Sequence, residues 1–251
     1  MTRRGLSPNT IDKRRRSLLM FAEQVGFDAT REQIEDWLDQ RGLAPKSRAV
    51  WISHLGVFYR WAVSEGLLPS DPTSRIRAPK LRRRLPRPVT DKELTKLLAS
   101  AAPRTRAMLL LASLAGLRCC EIATLKVDDV LAEGLLRVVG KGDKERVIPT
   151  HPEVTKALAA LPMPSEGPVF GQTTAGAVSH ALGEYIQGLG GAGGAHRLRH
   201  WMATRVYAET HDLRLVQELL GHASPATTAI YAGWDQAAAR TAVRALKVGA
   251  A

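Results

Sequence analysis

The sequence predicts a mainly α protein with a small antiparallel β-sheet. It is an α+β chain made of a small helical domain, a basic proline-rich linker and a larger second domain. Three observations carry that expectation. Apolar residues recur at helical spacing through residues 8–66 and in several stretches after residue 90. Only two short β-branched and aliphatic runs, 135–139 and 145–148, flank a glycine-punctuated turn. Five prolines, Pro69, Pro72, Pro79, Pro86 and Pro88, fall within 68–88, where they forbid a regular helix. The expected boundaries are 1–67, 68–88 and 89–251.

The first domain reads as three helices. Ser7 and Pro8 supply an N-cap and a first-turn proline for a helix that ends at Gly26. It carries Ile11, Leu18, Leu19, Phe21, Ala22 and Val25 on the apolar side and the basic cluster Lys13, Arg14, Arg15 and Arg16. Thr30 with Gln33 forms a capping box for a short helix through Leu38. A third helix spans 45–65, with Val50, Trp51, Leu55, Phe58, Trp61 and Ala62 as its apolar face and Lys46 and Arg48 at its start. The linker that follows holds Arg75, Arg77, Lys80, Arg82, Arg83, Arg84 and Arg87. Extended at ~3 Å per residue, it is long enough to cross the ~20 Å width of a duplex, so the two domains could close on DNA as a clamp.

Thr90 and Glu93 form the capping box that opens the second domain, on a helix with Leu94, Leu97 and Leu98. The nearly all-apolar run 108–117 predicts a central buried helix. Arg118 at its end is either paired with Glu121 or held by the core as a phosphate ligand. The runs 135–139 and 145–148 predict a hairpin with lysines at its tip. Helices are expected over 152–161, 174–189, 196–208 and 213–220. A short helix starting at Ser224 and Pro225 would carry Tyr231, and a last one would cover 236–247.

Whole-chain properties narrow the function. The 251 residues are 45% hydrophobic, which excludes a disordered chain. No apolar run approaches the roughly 18 residues of a membrane span, and the basic N-terminus lacks the apolar core of a secretory signal. Cys119 and Cys120 are adjacent and are the only cysteines, which fits a reducing cytoplasm. The net charge is +12. Residues 1–88 hold 18 basic and 9 acidic residues, hence +9, and the remainder holds 18 and 15, hence +3. A polyanion, DNA above all, is the expected partner, met mainly by the first third of the chain.

The chemistry-bearing residues cluster in five motifs. They are Gly116-Leu117-Arg118-x-x-Glu121, Gly140-Lys141-Gly142-x-Lys144-x-Arg146, His196-x-Leu198-Arg199-His200, Leu220-Gly221-His222, and Tyr231. In this order they resemble the tyrosine recombinase, or phage integrase, family across most of residues 90–235. The second domain thus resembles that family's catalytic domain, and on weaker grounds the first resembles its core-binding domain. The resemblance implies a site-specific DNA recombinase that cleaves and rejoins strands through a 3′-phosphotyrosyl link, with neither metal nor ATP and no cofactor. It assigns Tyr231 as nucleophile and Arg118 and Arg199 as guanidinium forks on the phosphate. His196 would be general acid/base or hydrogen-bond donor, His222 a further donor, and Lys141 the acid for the departing 5′ oxygen. Lys144 competes with Lys141 for that last role.

In this reading His200 supports the helix and Glu121 anchors nearby basic groups. DNA contact is expected from Lys13, Arg14, Arg15, Arg16, Lys46, Arg48, Arg82, Arg83 and Arg84. His54, His151, His180 and His211 stand outside the motifs, and neither zinc-ligand spacing nor a carboxylate cluster for a two-metal nuclease is present. The family further implies dimers on inverted half-sites, tetramers in synapsis, and a C-terminal segment, here 236–247, that packs on a neighbour. The core-binding-like helix begins near residue 8, so core-type sites without distant arm sites are expected. The glycine-rich stretch 190–194 departs from the commonest pattern, as does Trp201-Met202. Rival readings are a type IB topoisomerase-like nicking enzyme and a non-cleaving DNA-binding regulator.

Overall fold

In the computed structural model, residues 6, 8–81, 87–140 and 144–221 are described. Lys141, His222, Tyr231, Arg82, Arg83 and Arg84 lie outside the described residues, as do the hairpin tip and the expected helices after residue 221. The chain divides into two compact units, Met1–Arg84 and Leu85–Ala251.

The first unit is built on α1 (Pro8–Gln24), α2 (Arg31–Gln40) and α3 (Pro45–Ser64). Both halves of the α2 capping box form: the Thr30 hydroxyl accepts from the Gln33 amide and the Gln33 side chain accepts from Thr30. The core gathers Phe21, Ile34, Trp37, Leu38, Leu55 and Tyr59, and Leu68 and Ile76 pack against it from beyond α3. Burial, reinforced by Asp28 and Asp71, pushes the Tyr59 phenol up to about 12.

The expected apolar face of α3 holds at Leu55 and Ala62, with Trp51 and Phe58 half-buried against the core, but fails at Val50 and Trp61. Leu55, Tyr59 and Ala62 point inward at i, i+4, i+7, whereas Val50 and Trp61 are each 46% exposed. Val50 and Trp61 are eleven residues apart and share a face with each other, well off the buried stripe. Tyr59, whose hydroxyl reads as polar, takes the central core position instead.

The second unit wraps its helices around α5 (Pro103–Ser113), whose last seven residues are all buried. Packed on it are α4 (Asp91–Ala99), α6 (Cys119–Thr124), α7 (Pro152–Ala159), α8 (Ala175–Gly188) and α9 (His196–Thr210). The apolar run therefore does not form one helix to Leu117. Helix α5 ends at Ser113, and Gly116 turns the chain with φ +65°. Burial alone made the run apolar; Leu117 is core without being helical.

A three-stranded antiparallel sheet follows, ordered β1 (Val130–Leu131), β2 (Leu135–Val139), β3 (Glu145–Pro149). Its register pairs Leu136 with Ile148 and Val138 with Arg146. Strand β1 was not anticipated, being two residues long, and neither was the six-residue α6. Leu136, Val138 and Ile148 enter the core, and by the alternation of β3 Arg146 shares the inward side with Ile148. Helix α10 (Leu213–Leu220) closes the described chain, N-capped by Asp212, which accepts from the amides of Arg214 and Leu215. Among the described residues no helix is long and apolar enough to cross a membrane, and no group of three or more His, Cys, Asp or Glu could hold a metal ion.

Candidate active site

The site begins where α5 ends. Arg118 stands at the N-cap of α6, three residues before Glu121, and Glu121 accepts the Arg118 amide at 2.8 Å. The same carboxylate takes the Arg118 guanidinium at 2.9 Å. From β3, Arg146 reaches it as a bidentate fork at 2.9 and 3.1 Å and also donates to the carbonyl of Leu219. From α9, Arg199 Nη1 lies 3.6 Å from it. Glu121 is thus a buried hub for three guanidinia drawn from distant parts of the chain. Burial alone would push its carboxyl up. The Arg146 fork, the Arg118 amide and the charges of Arg146 and Arg199 together hold it below the usual carboxylate range.

The two candidate phosphate forks differ in access. The Arg118 side chain is 34% exposed, with Nη1 on Glu121 and Nη2 donating to the Gly221 carbonyl at 3.5 Å. Arg199 is 1% exposed, and its two terminal nitrogens donate to the carbonyls of Gly116 and Leu220. Arg199 therefore stitches the turn after α5 to the end of α10. Those bonds occupy two of a guanidinium's five donors.

His196 opens α9, and its ring lies 4.3 Å from that of His200, edge on. Burial, then the charges of Arg199 and Arg118, holds the His196 imidazole below its ordinary value. His200 is lowered further, to about 4, by burial and by His196 and Arg199. Both rings are neutral at pH 7, each able to donate through one nitrogen and accept through the other.

Two motif glycines are required by this packing. Gly116 has φ +65°, and a Cβ there would meet Leu220 Cδ2 at 2.9 Å. Gly221 has φ +60°, and a Cβ there would meet Arg146 Nη1 at 2.9 Å. Both glycines let the ends of α5 and α10 close on the arginine cluster.

The structure thus brings Arg118, Arg199 and His196 together. Lys141, His222 and Tyr231 lie outside the described residues. Lys144, the rival to Lys141, is exposed immediately before β3 and its carbonyl accepts from the Gly140 amide. Arg146 belongs to one of the five motifs, but its role was not legible from the spacing. A basic residue at an inward position of a strand was the available signal, since such a charge demands a buried acid.

In the first unit the basic candidates separate. Lys13, Arg15 and Arg16 are exposed, with Arg16 bridging Asp12 at 2.8 Å. Arg14 is half-buried, close enough to His54 for its charge to help lower that imidazole, after burial. Four consecutive helical residues spread over about 300° of a helix surface, so they cannot share one face. Lys46 is exposed, but Arg48 is paired with Asp39 at 2.5 Å.

Residues 87–237, more than half of the chain, match the model of the phage integrase family. The chain belongs to the phage integrase family. Among its relatives, the tyrosine recombinase XerC of Proteus mirabilis is 33% identical, over 92% of this chain and 85% of the relative. A solved integrase from mycobacterium phage Brujita is 32% identical at a TM-score of 0.53, covering 96% of this chain and 87% of its own. A lambda integrase dimer bound to a COC′ core site superposes at a TM-score of 0.75 with 21% identity, over 92% of this chain and 73% of that one, a likeness of fold. Membership makes this integrase-family protein a site-specific DNA recombinase of the tyrosine type, and its fold is that of integrase catalytic domains.

Proposed function

We propose that the protein exchanges DNA strands at a defined site through a 3′-phosphotyrosyl intermediate on Tyr231. The Tyr231 oxygen attacks phosphorus, the bond to the 5′ oxygen breaks, and Lys141 supplies the proton that makes a 5′-hydroxyl. Attack by the 5′-hydroxyl of another strand reverses the step and frees the tyrosine. Bond energy is conserved in the protein–DNA link, so this transesterification is balanced without ATP. Developing charge on the phosphoryl oxygens is met by Arg118, Arg199, His196 and His222. His196, neutral at pH 7, is able to take the phenol proton, whose reference pKa is about 10.

The observation that carries this reading is the convergence of Arg118 and Arg199 on one carboxylate with the His196 ring beside them. Buried like charges are costly to gather, and an anion-binding role accounts for gathering them. The substrate is double-stranded DNA, bound by a dimer on inverted half-sites and by a tetramer in synapsis. The domain at 1–67 would grip core DNA, and the linker at 68–88 would carry Arg82, Arg83 and Arg84 along it. The catalytic domain would occupy 89–251, with 236–247 docking on a neighbour, and the protein would act in the cytoplasm. A nicked suicide duplex carrying the target site tests the chemistry. The wild type is expected to form a covalent adduct that Tyr231→Phe abolishes. An adduct that persists in Tyr231→Phe overturns the nucleophile. Relaxation of circles at arbitrary sites, without exchange, would favour a nicking enzyme instead.

A further inference from the structure

Arg197 lies between His196 and Arg199, yet its guanidinium is spent entirely within the protein. Nε donates to the carbonyl of Arg87 at 2.9 Å. Nη1 donates to Glu93 Oε1 at 2.8 Å and to the carbonyl of Ala192. Nη2 donates to the carbonyl of Pro88 at 3.2 Å and to Glu93 Oε2 at 3.1 Å. All five N–H donors of an arginine are thereby matched to acceptors. Glu93 is itself fixed, because it closes the capping box of α4 on the Thr90 amide. Arg197 therefore joins four segments: residues 87–88, the start of α4, the glycine-rich loop and the first turn of α9.

The glycine-rich loop is shaped to this contact. Gly193 has φ +80°, and a Cβ there would sit 2.9 Å from Arg197 Cδ. A Cβ on Gly191 would sit 2.9 Å from the Ile186 carbonyl and 3.0 Å from Glu93 Oε1. The N-cap of α9 is Ala195, which offers no side-chain acceptor. The Arg197 and Leu198 amides instead bond the carbonyls of Gly194 and Ala195, so the turn that carries His196 depends on how the glycine-rich loop is held.

We propose that Arg197 is a positioning residue for strand cleavage: its fork locks the His196 turn onto the backbone entering the catalytic unit at Arg87 and Pro88. The proposal rests on the reading of His196 and Arg199 as phosphate-handling groups. A lysine, with one ammonium in place of a planar fork, cannot hold three carbonyls and both carboxylate oxygens together.

The test is single-turnover cleavage of the nicked suicide duplex by full-length Arg197→Lys, Arg197→Met and Glu93→Gln, with DNA affinity and helical content measured in parallel. Glu93→Gln weakens the fork without altering α9. Expected is a cleavage rate lower by roughly tenfold to a hundredfold in Arg197→Met, the scale of a misplaced catalytic group, with DNA affinity little changed and Arg197→Lys intermediate. The acidic limb of the pH–rate profile should move toward higher pH in all three, because a loosened turn lets water reach His196. Wild-type rates in Arg197→Met would overturn the proposal. So would a rate loss that merely tracks the folded fraction and leaves the pH profile in place. Failure of the wild type to form any adduct would strike the phosphotyrosyl reading instead, so the two remain separable.

Discussion

Glu121 allows several guanidinia to stand side by side at the mouth of one site. Its carboxylate touches Arg118 and Arg146 directly and faces Arg199 at 3.6 Å. Removing its charge leaves buried cations uncompensated, a loss of about 3–5 kcal/mol for a broken buried pair. Glu121→Gln is therefore expected to lower the thermal midpoint severely and to slow cleavage, checked by calorimetry and by the suicide-substrate assay; a midpoint close to wild type would contradict the hub. The folded pKa of Glu121 is depressed, so its stabilisation is in place above the ordinary carboxylate value and is lost as pH falls through the folded one. His200 adds a window at higher pH. Unfolded, its imidazole takes a proton near 6.5; folded, it waits until about 4. The unfolded state binds more protons between those values, so stability declines as pH drops from about 6.5 to about 4. Denaturant titrations of His200→Gln across that range should show a flatter dependence than the wild type. The arginine at 118 and its acid at 121 were legible in sequence because they sit three apart on one motif. Arg146 as their partner was not, because β3 and α6 meet only through the fold.

At the scale of elements, legibility in the sequence held where one local signal sufficed. Thr30/Gln33 and Thr90/Glu93 announced α2 and α4, and the two β-branched runs announced β2 and β3. It failed where burial and helicity separate. The run 108–117 is core throughout, but Gly116 breaks it because the turn must admit Leu220. On α3 the inward stripe runs through Tyr59, not through Val50 and Trp61. That difference is measurable. Leu55→Ala should cost about 2–5 kcal/mol, as a large-to-small change in a packed core does. Val50→Thr, on the exposed face, should stay within about 0.5 kcal/mol. Comparable losses from the two would restore the expected face. The glycine ending α10 can be tested likewise. Gly221→Ala places a methyl against Arg146 in a left-handed backbone, a strain of roughly 1–3 kcal/mol, and should depress cleavage beyond what the lower stability explains.

For the molecule as a whole, charge is the property the sequence states most directly and the structure refines most. The excess of +9 in residues 1–88 marks that stretch as the main electrostatic footprint. Yet Arg48 is held by Asp39 at 2.5 Å, and its side chain is only 22% exposed. Lys13, Arg15 and Lys46 are exposed. Each cation that neutralises a phosphate releases counterions and steepens the fall of affinity with salt by about 0.9 in a log–log plot. Arg15→Gln and Lys46→Gln are therefore expected each to flatten that slope by close to this amount. Arg48→Gln should leave the slope nearly unchanged and instead lower stability slightly, because the charge it removes already serves Asp39. The Arg82, Arg83 and Arg84 triple replacement by Gln should flatten the slope most, by two or more such steps if each meets a phosphate. Binding isotherms at four or five salt concentrations decide between these outcomes. A slope as sensitive to Arg48 as to Arg15 would mean that the Asp39 pair opens on DNA, and that Arg48 is not a structural cation.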